Sequence, residues 1–323
     1  MNSPDREPNS QIPDLTMVGT IPVAPTGYKS GFISIVGRPN VGKSTLMNYL
    51  VGQKIAIASP VPQTTRNLLR GVLTTPTAQL IFIDTPGIHK PHHQLGEVLV
   101  KNAQNAMRST DAVLLVVDGS VESGGGDRFI VELLSQTRTP VIIGLNKIDL
   151  CPDNHRAEIA NSYIEIAPPN RWQFVKFSAV TGEGLDALQQ VLVDCLEIGP
   201  YYYPPDLVTD QPERFIMGEL IREQILLLTR EEVPHSVAVI IDRVQEEPNI
   251  TRVQATICVE RDSQKGILIG KGGQMLKTIG TAAREQMQKL IAGKVHLELF
   301  VKVQLKWRQS RLKLSELGYR IEK

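Results

Sequence analysis

The segment Gly37-Arg38-Pro39-Asn40-Val41-Gly42-Lys43-Ser44 sets two glycines, a lysine and a hydroxyl at the spacing G-x-x-x-x-G-K-[S/T]. That combination handles polyphosphates. The glycines let the backbone turn tightly enough for successive N–H groups to converge on one anion. Lys43 adds a point charge for the β- and γ-phosphates, and the Ser44 hydroxyl is the expected Mg²⁺ ligand. An apolar run, Phe32-Ile33-Ser34-Ile35-Val36, leads in, and a helix-compatible segment from Ser44 to Val51 leads out. The loop therefore has the strand–loop–helix setting that this chemistry needs.

Three further patterns narrow the ligand. Asn146-Lys147-Ile148-Asp149 follows the apolar run Val141-Ile142-Ile143-Gly144-Leu145. An N-K-x-D tetrad at a strand end reads guanine: the Asp149 carboxylate can accept from N1–H and from the 2-amino group, whereas adenine would leave it unpaired at a cost of several kcal/mol. Asn146 can contact the base or brace the phosphate loop, and Lys147 can lay its stem along base and sugar. Leu80-Ile81-Phe82-Ile83 runs into Asp84-Thr85-Pro86-Gly87, a D-x-x-G that places Asp84 toward Mg²⁺ through a water and the Gly87 N–H toward the γ-phosphate. Thr64-Thr65 offers hydroxyls for a second Mg²⁺ ligand, with Thr65 favoured. Ser178 and Ala179, after Phe177 at another strand end, bring backbone toward the guanine carbonyl.

In this order the elements describe a GTP-binding switch of the Ras-like class, hydrolysing GTP to GDP and phosphate by in-line attack of water. Lys43, Asn40, Thr65 and Gly87 are the candidate catalytic residues. The residue after D-x-x-G is Ile88, and an apolar side chain cannot orient a water, so intrinsic hydrolysis is expected to be slow or assisted from elsewhere. The Asn40 amide oxygen is the candidate for holding a K⁺ ion beside the phosphates.

Strand-like runs at 31–36, 67–74, 78–84, 111–118, 140–146 and 173–178 alternate with helix-like segments at 43–52, 95–108, 127–137, 155–166 and 184–197. This βα alternation, with motifs at strand C-termini, predicts an α/β fold with a mostly parallel doubly wound sheet. The short connection between 67–74 and 78–84 predicts an antiparallel hairpin at the sheet edge. Residues 1–29 read as a disordered tail without a secretory h-region, 30–198 as the GTPase domain, and 199–212 as a linker around Tyr201-Tyr202-Tyr203-Pro204-Pro205. The tyrosines either stay in the linker or pack between domains.

Residues 213–323 read as a smaller α+β domain: helix 213–229, strands 235–245 and 250–260, a Gly-rich turn, helix 273–291, strand 295–305 and helix 308–317. Gly270-Lys271-Gly272-Gly273 fits G-x-x-G between helices, after two strands and the apolar lead-in Ile267-Leu268-Ile269. That order is the type II KH arrangement, whose loop clamps single-stranded nucleic acid by its backbone while a groove takes about four bases. Gly270, Lys271, Gly272, Gly273 and Lys277 are the expected RNA contacts. Charge supports this: residues 250–323 hold 15 Lys and Arg against 6 Asp and Glu, while the remainder holds 20 against 28. A basic C-terminal part behind an acidic front points to a polyanion partner. Lys302, Lys306, Arg308, Arg311 and Lys313 extend the basic character toward the end, either as a solvated face or, as expected beside such a loop, as phosphate contacts.

Composition bounds the rest. A chain of 323 residues fits two ordinary domains, and 41% hydrophobic with 21% charged residues is a globular balance. Cys151, Cys195 and Cys258 are odd in number and far apart, which excludes a disulfide framework and fits a reducing cytoplasm. No apolar run is long enough to span a bilayer.

Together, Gly37–Ser44, Gln63-Thr64-Thr65-Arg66, Asp84–Gly87 and Asn146–Asp149, joined by Tyr203-Pro204-Pro205-Asp206 to Ile269–Gly273, closely resemble the Era family of bacterial GTPases over residues 31–321. The endings His296–Val303 and Leu317-Gly318-Tyr319 share the resemblance. It implies a Ras-like GTPase domain followed by a type II KH domain, GTP/GDP and Mg²⁺ as ligands, and a monomer assisting small (30S) ribosomal subunit assembly. It also implies a grip on single-stranded RNA near the 3′ end of the small-subunit rRNA, and a cytoplasmic protein with peripheral contact to the inner face of the plasma membrane. Within that resemblance the nucleotide contacts are Gly37, Arg38, Pro39, Asn40, Val41, Gly42, Lys43, Ser44, Asp84, Thr85, Pro86, Gly87, Ile88, Asn146, Lys147, Ile148, Asp149, Ser178 and Ala179; the metal ligands are Ser44, Thr65 and Asp84. An apolar residue at position 88 is usual in the family. The long N-terminal tail and the run Gly124-Gly125-Gly126 depart from it. The alternatives are an RNA-binding scaffold whose nucleotide site is mainly structural, and a GTPase of another RNA pathway such as tRNA modification; for the latter no catalytic cysteine motif is found.

Overall fold

The computed structural model describes residues 21–61, 64–88, 94–291 and 293–321. The first twenty residues of the expected tail, Gln63 of the threonine loop and residues 89–91 after D-x-x-G lie outside the described residues.

The first sheet contains β1 (Lys29–Val36), β2 (Leu69–Thr74), β3 (Ala78–Asp84), β4 (Ala112–Asp118), β5 (Val141–Asn146) and β6 (Gln173–Lys176) in the order β2-β3-β1-β4-β5-β6. All neighbours are parallel except β2 and β3, which form the expected edge hairpin. The continuous apolar runs of β3, β4 and β5 are buried along almost their whole length, as a sheet covered on both faces requires. Helices α1 (Lys43–Val51), α2 (Gln94–Arg108), α3 (Gly125–Ser135), α4 (Arg156–Ile166) and α5 (Leu185–Asp194) supply that cover. One core gathers α1 and α5 on one face; the other gathers α2, α3 and α4 on the opposite face. Strand order reverses beside β1, so its C-terminal end opens at the switch point where α/β sheets bind ligands.

The second unit contains α6 (Glu213–Leu228), α7 (Val233–Ser236), β7 (Ala238–Glu247), β8 (Ile250–Val259), α8 (Asp262–Ile269), α9 (Gln274–Met287), β9 (Lys294–Val303) and α10 (Arg311–Glu316). Its sheet runs β7-β8-β9, antiparallel then parallel, over a core from α6, α8 and α9.

Several boundaries differ from the reading of the sequence, each with a local cause. The expected tail ends before Tyr28, which is 2% exposed and donates its hydroxyl to the Thr75 carbonyl. Helix α3 starts at Gly125 because the Asp127 carboxylate accepts from the Gly124 N–H and closes a first turn there. The last strand of the first sheet stops at Lys176, before Phe177. The apolar lead-in to the G-x-x-G loop is helix α8; the Gln264 side chain accepts from the Glu260 and Arg261 N–H groups at its start. Ser310 caps α10 and separates it from a short 3₁₀ turn at Trp307–Gln309.

Residues 199–212 are not a free tether. The Val72 N–H donates to the Val208 carbonyl, the Thr209 hydroxyl to the Arg70 carbonyl, and Gln79 bonds the backbone of Tyr202 and Tyr203. Two of the tyrosines pack on the first unit, Tyr201 on Tyr28 at 4.6 Å between ring centres and Tyr202 on Phe32 at 5.1 Å, while the Tyr203 hydroxyl donates to Asp210 at 2.9 Å.

Candidate functional site

A cleft of about 380 Å³ runs from the phosphate loop to the N-K-x-D tetrad, lined among others by Asn40, Lys43, Thr65, Lys147, Asp149 and Ala179. At one end Gly42 begins helix α1 with φ 95°, and no side chain caps the helix, so its first N–H groups are left for an anion. A Cβ on Gly42 would lie 2.3 Å from the Asn146 amide nitrogen, so only glycine permits this approach. Lys43 is buried and donates to the carbonyls of Arg38 at 2.9 Å and Gly37 at 3.3 Å. Burial pushes its amine down to about 8, partly offset by the Asp84 charge.

Ser44, Thr65 and Asp84 converge. The Ser44 hydroxyl donates to Asp84 Oδ2 at 2.8 Å and lies 2.8 Å from the Thr65 hydroxyl, which donates to the same oxygen at 3.0 Å. Asp84 Oδ1 is buried without a partner, and burial raises the carboxyl above the usual carboxylate range while Lys43, Ser44 and Thr65 pull it back. The Thr64 hydroxyl is turned away and donates to the Val61 carbonyl at 2.7 Å.

The D-x-x-G loop is tied to the phosphate loop. The Ile88 N–H donates to the Gly37 carbonyl at 3.1 Å, and a Cβ on Gly87 would sit 2.8 Å from the Pro39 nitrogen. Thr85 donates both its N–H and its hydroxyl to the Ile35 carbonyl. Pro86 is buried, and the side chains of Ile88 and Val41 belong to the two cores. Thr85, Ile88 and Val41 therefore shape the site through backbone and packing, and position 88 presents nothing to a water. Asn40 is exposed with φ 64° and donates its amide to the Pro60 carbonyl at 2.7 Å.

At the base end Asn146 is a brace. It donates to the Val41 carbonyl at 2.8 Å and accepts from the Ala179 N–H at 2.9 Å, joining the phosphate loop to the Ser178-Ala179 turn. Lys147 pairs with Asp118 at 2.6 Å. Burial alone would raise Asp118, but Lys147 and Ser120 outweigh it and hold the carboxylate below its usual range. Ile148 is buried and donates its N–H to the Phe177 carbonyl. The Ser178 hydroxyl accepts from the Val180 and Thr181 N–H groups and shapes the turn. Asp149 is exposed and lines the cleft at this end.

The second unit has its own groove of about 300 Å³ between α9 and β9. Gly273 begins α9 without a side-chain cap, and Lys271 stands exposed in the loop before it. Leu276, Leu297 and Leu299 contribute apolar lining, with Lys277 and Arg284 beside them. Arg284 was not singled out in the sequence, although Lys277, Gly280 and Arg284 recur at helical spacing. Arg308, expected to face phosphates, instead pairs with Glu260 at 2.6 Å.

The threonine loop and the second unit are in direct contact, a feature no motif signals. Arg66, 1% exposed, donates to the carbonyls of Val237, Pro234 and His235. Arg222 of α6 donates to the Thr64 carbonyl, and Glu223 accepts from the Ala58 N–H at 3.0 Å and from Lys54 at 2.6 Å. Leu95 and Leu99 of α2 pack with Trp307, Leu314, Leu317 and Tyr319.

Comparison with known proteins matches both units. Residues 32–147 match the family model described as 50S ribosome-binding GTPase, and residues 232–308 match that of the KH domain. The chain is 71% identical to GTPase Era of Nostoc sp. over 314 residues, 97% of each chain. It is 68% identical to GTPase Era of Rippkaea orientalis over 312 residues, 97% of this chain and 99% of that one. Among solved structures, Era in complex with MgGDPNP and nucleotides 1506–1542 of 16S ribosomal RNA superposes with a TM-score of 0.86 at 37% identity, covering 90% of this chain and 99% of that one. Aquifex aeolicus Era bound to GDP and AlF4⁻ gives 0.87 at the same identity and coverage.

Proposed function

This chain belongs to the GTPase Era family, and from that premise we propose that it is a GTP-hydrolysing switch whose KH unit binds single-stranded rRNA near the 3′ end of the small-subunit rRNA and assists 30S assembly. The observation that carries the reading is the grip of α6 on the threonine loop: Arg222 holds the Thr64 carbonyl and Glu223 the Ala58 N–H, so a loop that touches the nucleotide site also touches the RNA-binding unit. The Era structure bound to 16S rRNA supports the choice of RNA. We place the protein in the cytoplasm, as a monomer with peripheral membrane contact; among the described residues no helix is long and apolar enough to cross a membrane.

In this reading Asp149 accepts from guanine, Lys147 lies along the base, and Asn146 holds the base and phosphate ends at a fixed separation. The loop N–H groups and Lys43 bind the β- and γ-phosphates and stabilise charge developing on the transferred phosphoryl group. Ser44, Thr65 and Asp84 suit a magnesium ion, because three oxygens converge and the buried Asp84 Oδ1 lacks a partner. A bound magnesium would neutralise phosphate charge there. In this reading the Gly87 N–H meets the γ-phosphate, and the buried Ile88 leaves water orientation to other groups.

Asn40 is our candidate for a K⁺ contact: its amide nitrogen is engaged by Pro60, and its Oδ1 makes no hydrogen bond among the described residues. Hydrolysis is expected to be faster in K⁺ than in Na⁺ buffer of equal ionic strength, and equal rates would remove this role.

The RNA assignment is tested by crosslinking in cells with Gly272→Asp. Gly272 has φ 59° with no atom within 4 Å of an added Cβ, and aspartate is among the residues that accept this region, so the unit should fold while its loop repels phosphate. Wild-type reads are expected near the small-subunit rRNA 3′ end and should vanish in the variant. Scattered or unchanged reads would leave the groove without this function.

A further inference from the structure

A buried carboxylate outside every nucleotide motif holds the phosphate loop. Arg38 accepts Lys43 on its carbonyl, and its side chain leaves the cleft to meet the start of α3, where Nε donates to Asp127 Oδ1 at 2.8 Å. The Asp127 side chain is 2% exposed, and its other oxygen accepts from the Gly124 N–H at 2.9 Å, so both oxygens are engaged. Arg38 and Asp127 stand close enough to Tyr163 to act on its hydroxyl electrostatically. That hydroxyl donates to the Asp118 carbonyl at 3.0 Å, and the Asp118 carboxylate holds Lys147 at 2.6 Å. Two bonded groups therefore lie between the ends of the cleft, Arg38 with Asp127 at the phosphate loop and Tyr163 with Asp118 and Lys147 at the base-reading tetrad. The glycine run has a place here: a Cβ on Gly126 would lie 2.7 Å from Arg38 Cδ, so any larger residue there would have to displace the arginine stem.

We propose that Asp127 is a positioning residue of the nucleotide site, holding Arg38 so that its carbonyl fixes Lys43, with Gly126 providing the passage for the arginine. The inference rests on the nucleotide site proposed above. Broken charge-assisted pairing at a buried carboxylate is worth about tenfold or more in an equilibrium. Alanine at position 126 improves helix propensity, so it separates positioning from stability.

The experiment follows release of a fluorescent GDP from full-length wild type, Gly126→Ala, Asp127→Asn and the double variant, alongside thermal midpoints of the nucleotide-free proteins. We expect release about tenfold faster for Asp127→Asn and about fivefold faster for Gly126→Ala, with the Gly126→Ala midpoint no lower than wild type. The double variant should release no faster than Asp127→Asn, because both changes break one contact. Wild-type release from Gly126→Ala, additive rates in the double, or acceleration only in step with lost stability would each overturn the proposal. Wild-type binding of GDP in the same experiment tests the underlying site separately.

Discussion

Lys43→Ala is expected to lower kcat/KM for GTP by about a thousandfold or more, the scale seen when a charge aimed at a developing anion is removed. The side chain is buried, held on the Gly37 and Arg38 carbonyls, and faces the cleft beneath the helix N-terminus. Alanine removes the only lysine of the loop while leaving the backbone cradle in place. The fold should survive, because a buried amine already pushed down to about 8 costs desolvation that alanine does not incur. Steady-state hydrolysis and the profile of assembled subunits, measured together, separate the two readings of this protein. Lost hydrolysis with lost 30S assembly is the outcome expected for a switch. Lost hydrolysis with intact assembly would favour the scaffold whose nucleotide site is mainly structural.

Arg222→Met should uncouple the two units. Arg222 is fully buried, donates to Glu219 at 2.8 Å through Nε, and holds the Thr64 carbonyl one residue before the Thr65 hydroxyl of the oxygen cluster. In the proposed switch, a nucleotide-driven movement of Thr65 would reach α6 through this bond. Methionine keeps much of the buried stem and removes the guanidinium, leaving Glu219 without its charge partner. A loss of about 3 kcal/mol in unfolding free energy is expected, at the lower end for a broken buried pair because Glu219 remains partly exposed to water. The functional readout is the ratio of RNA affinities with a GTP analogue and with GDP, which should fall toward one in the variant. An unchanged ratio would assign the coupling elsewhere, with the packing of α2 on Trp307 and Tyr319 the next contact to break.

The nucleotide site was legible because its chemistry is local. Each motif is a short stretch in which backbone geometry and side-chain type act together, and each sits at the end of an apolar strand whose burial is plain from composition. The same holds for the G-x-x-G loop and its following helix. Less legible were the roles that depend on what a side chain meets across the fold. Asn146 could read a base or brace a loop, and its two bonds to Val41 and Ala179 make it a brace. Thr64 and Thr65 are adjacent and chemically identical, and only the turn of the loop sends one hydroxyl to Asp84 and the other to Val61. Arg308 lay in a basic run and is occupied by Glu260.

The amino-acid sequence by itself determined the two folds, the guanine nucleotide and the RNA-binding loop, since hydrophobic period and motif spacing are properties of neighbouring residues. The tertiary structure alone decided how the parts act on one another. Residues 199–212 became a strap on an edge strand because the free N–H and carbonyl groups of β2 and the Gln79 amide had bonds to make there. Arg222, Glu223 and Asp127 are unremarked charges in the chain, Arg66 is only the end of a short motif there, and the meaning of all four comes from burial. A charge taken out of water must find partners, and beside near neighbours such as Glu219 these charges meet groups far away in sequence, on the other unit or in the phosphate loop.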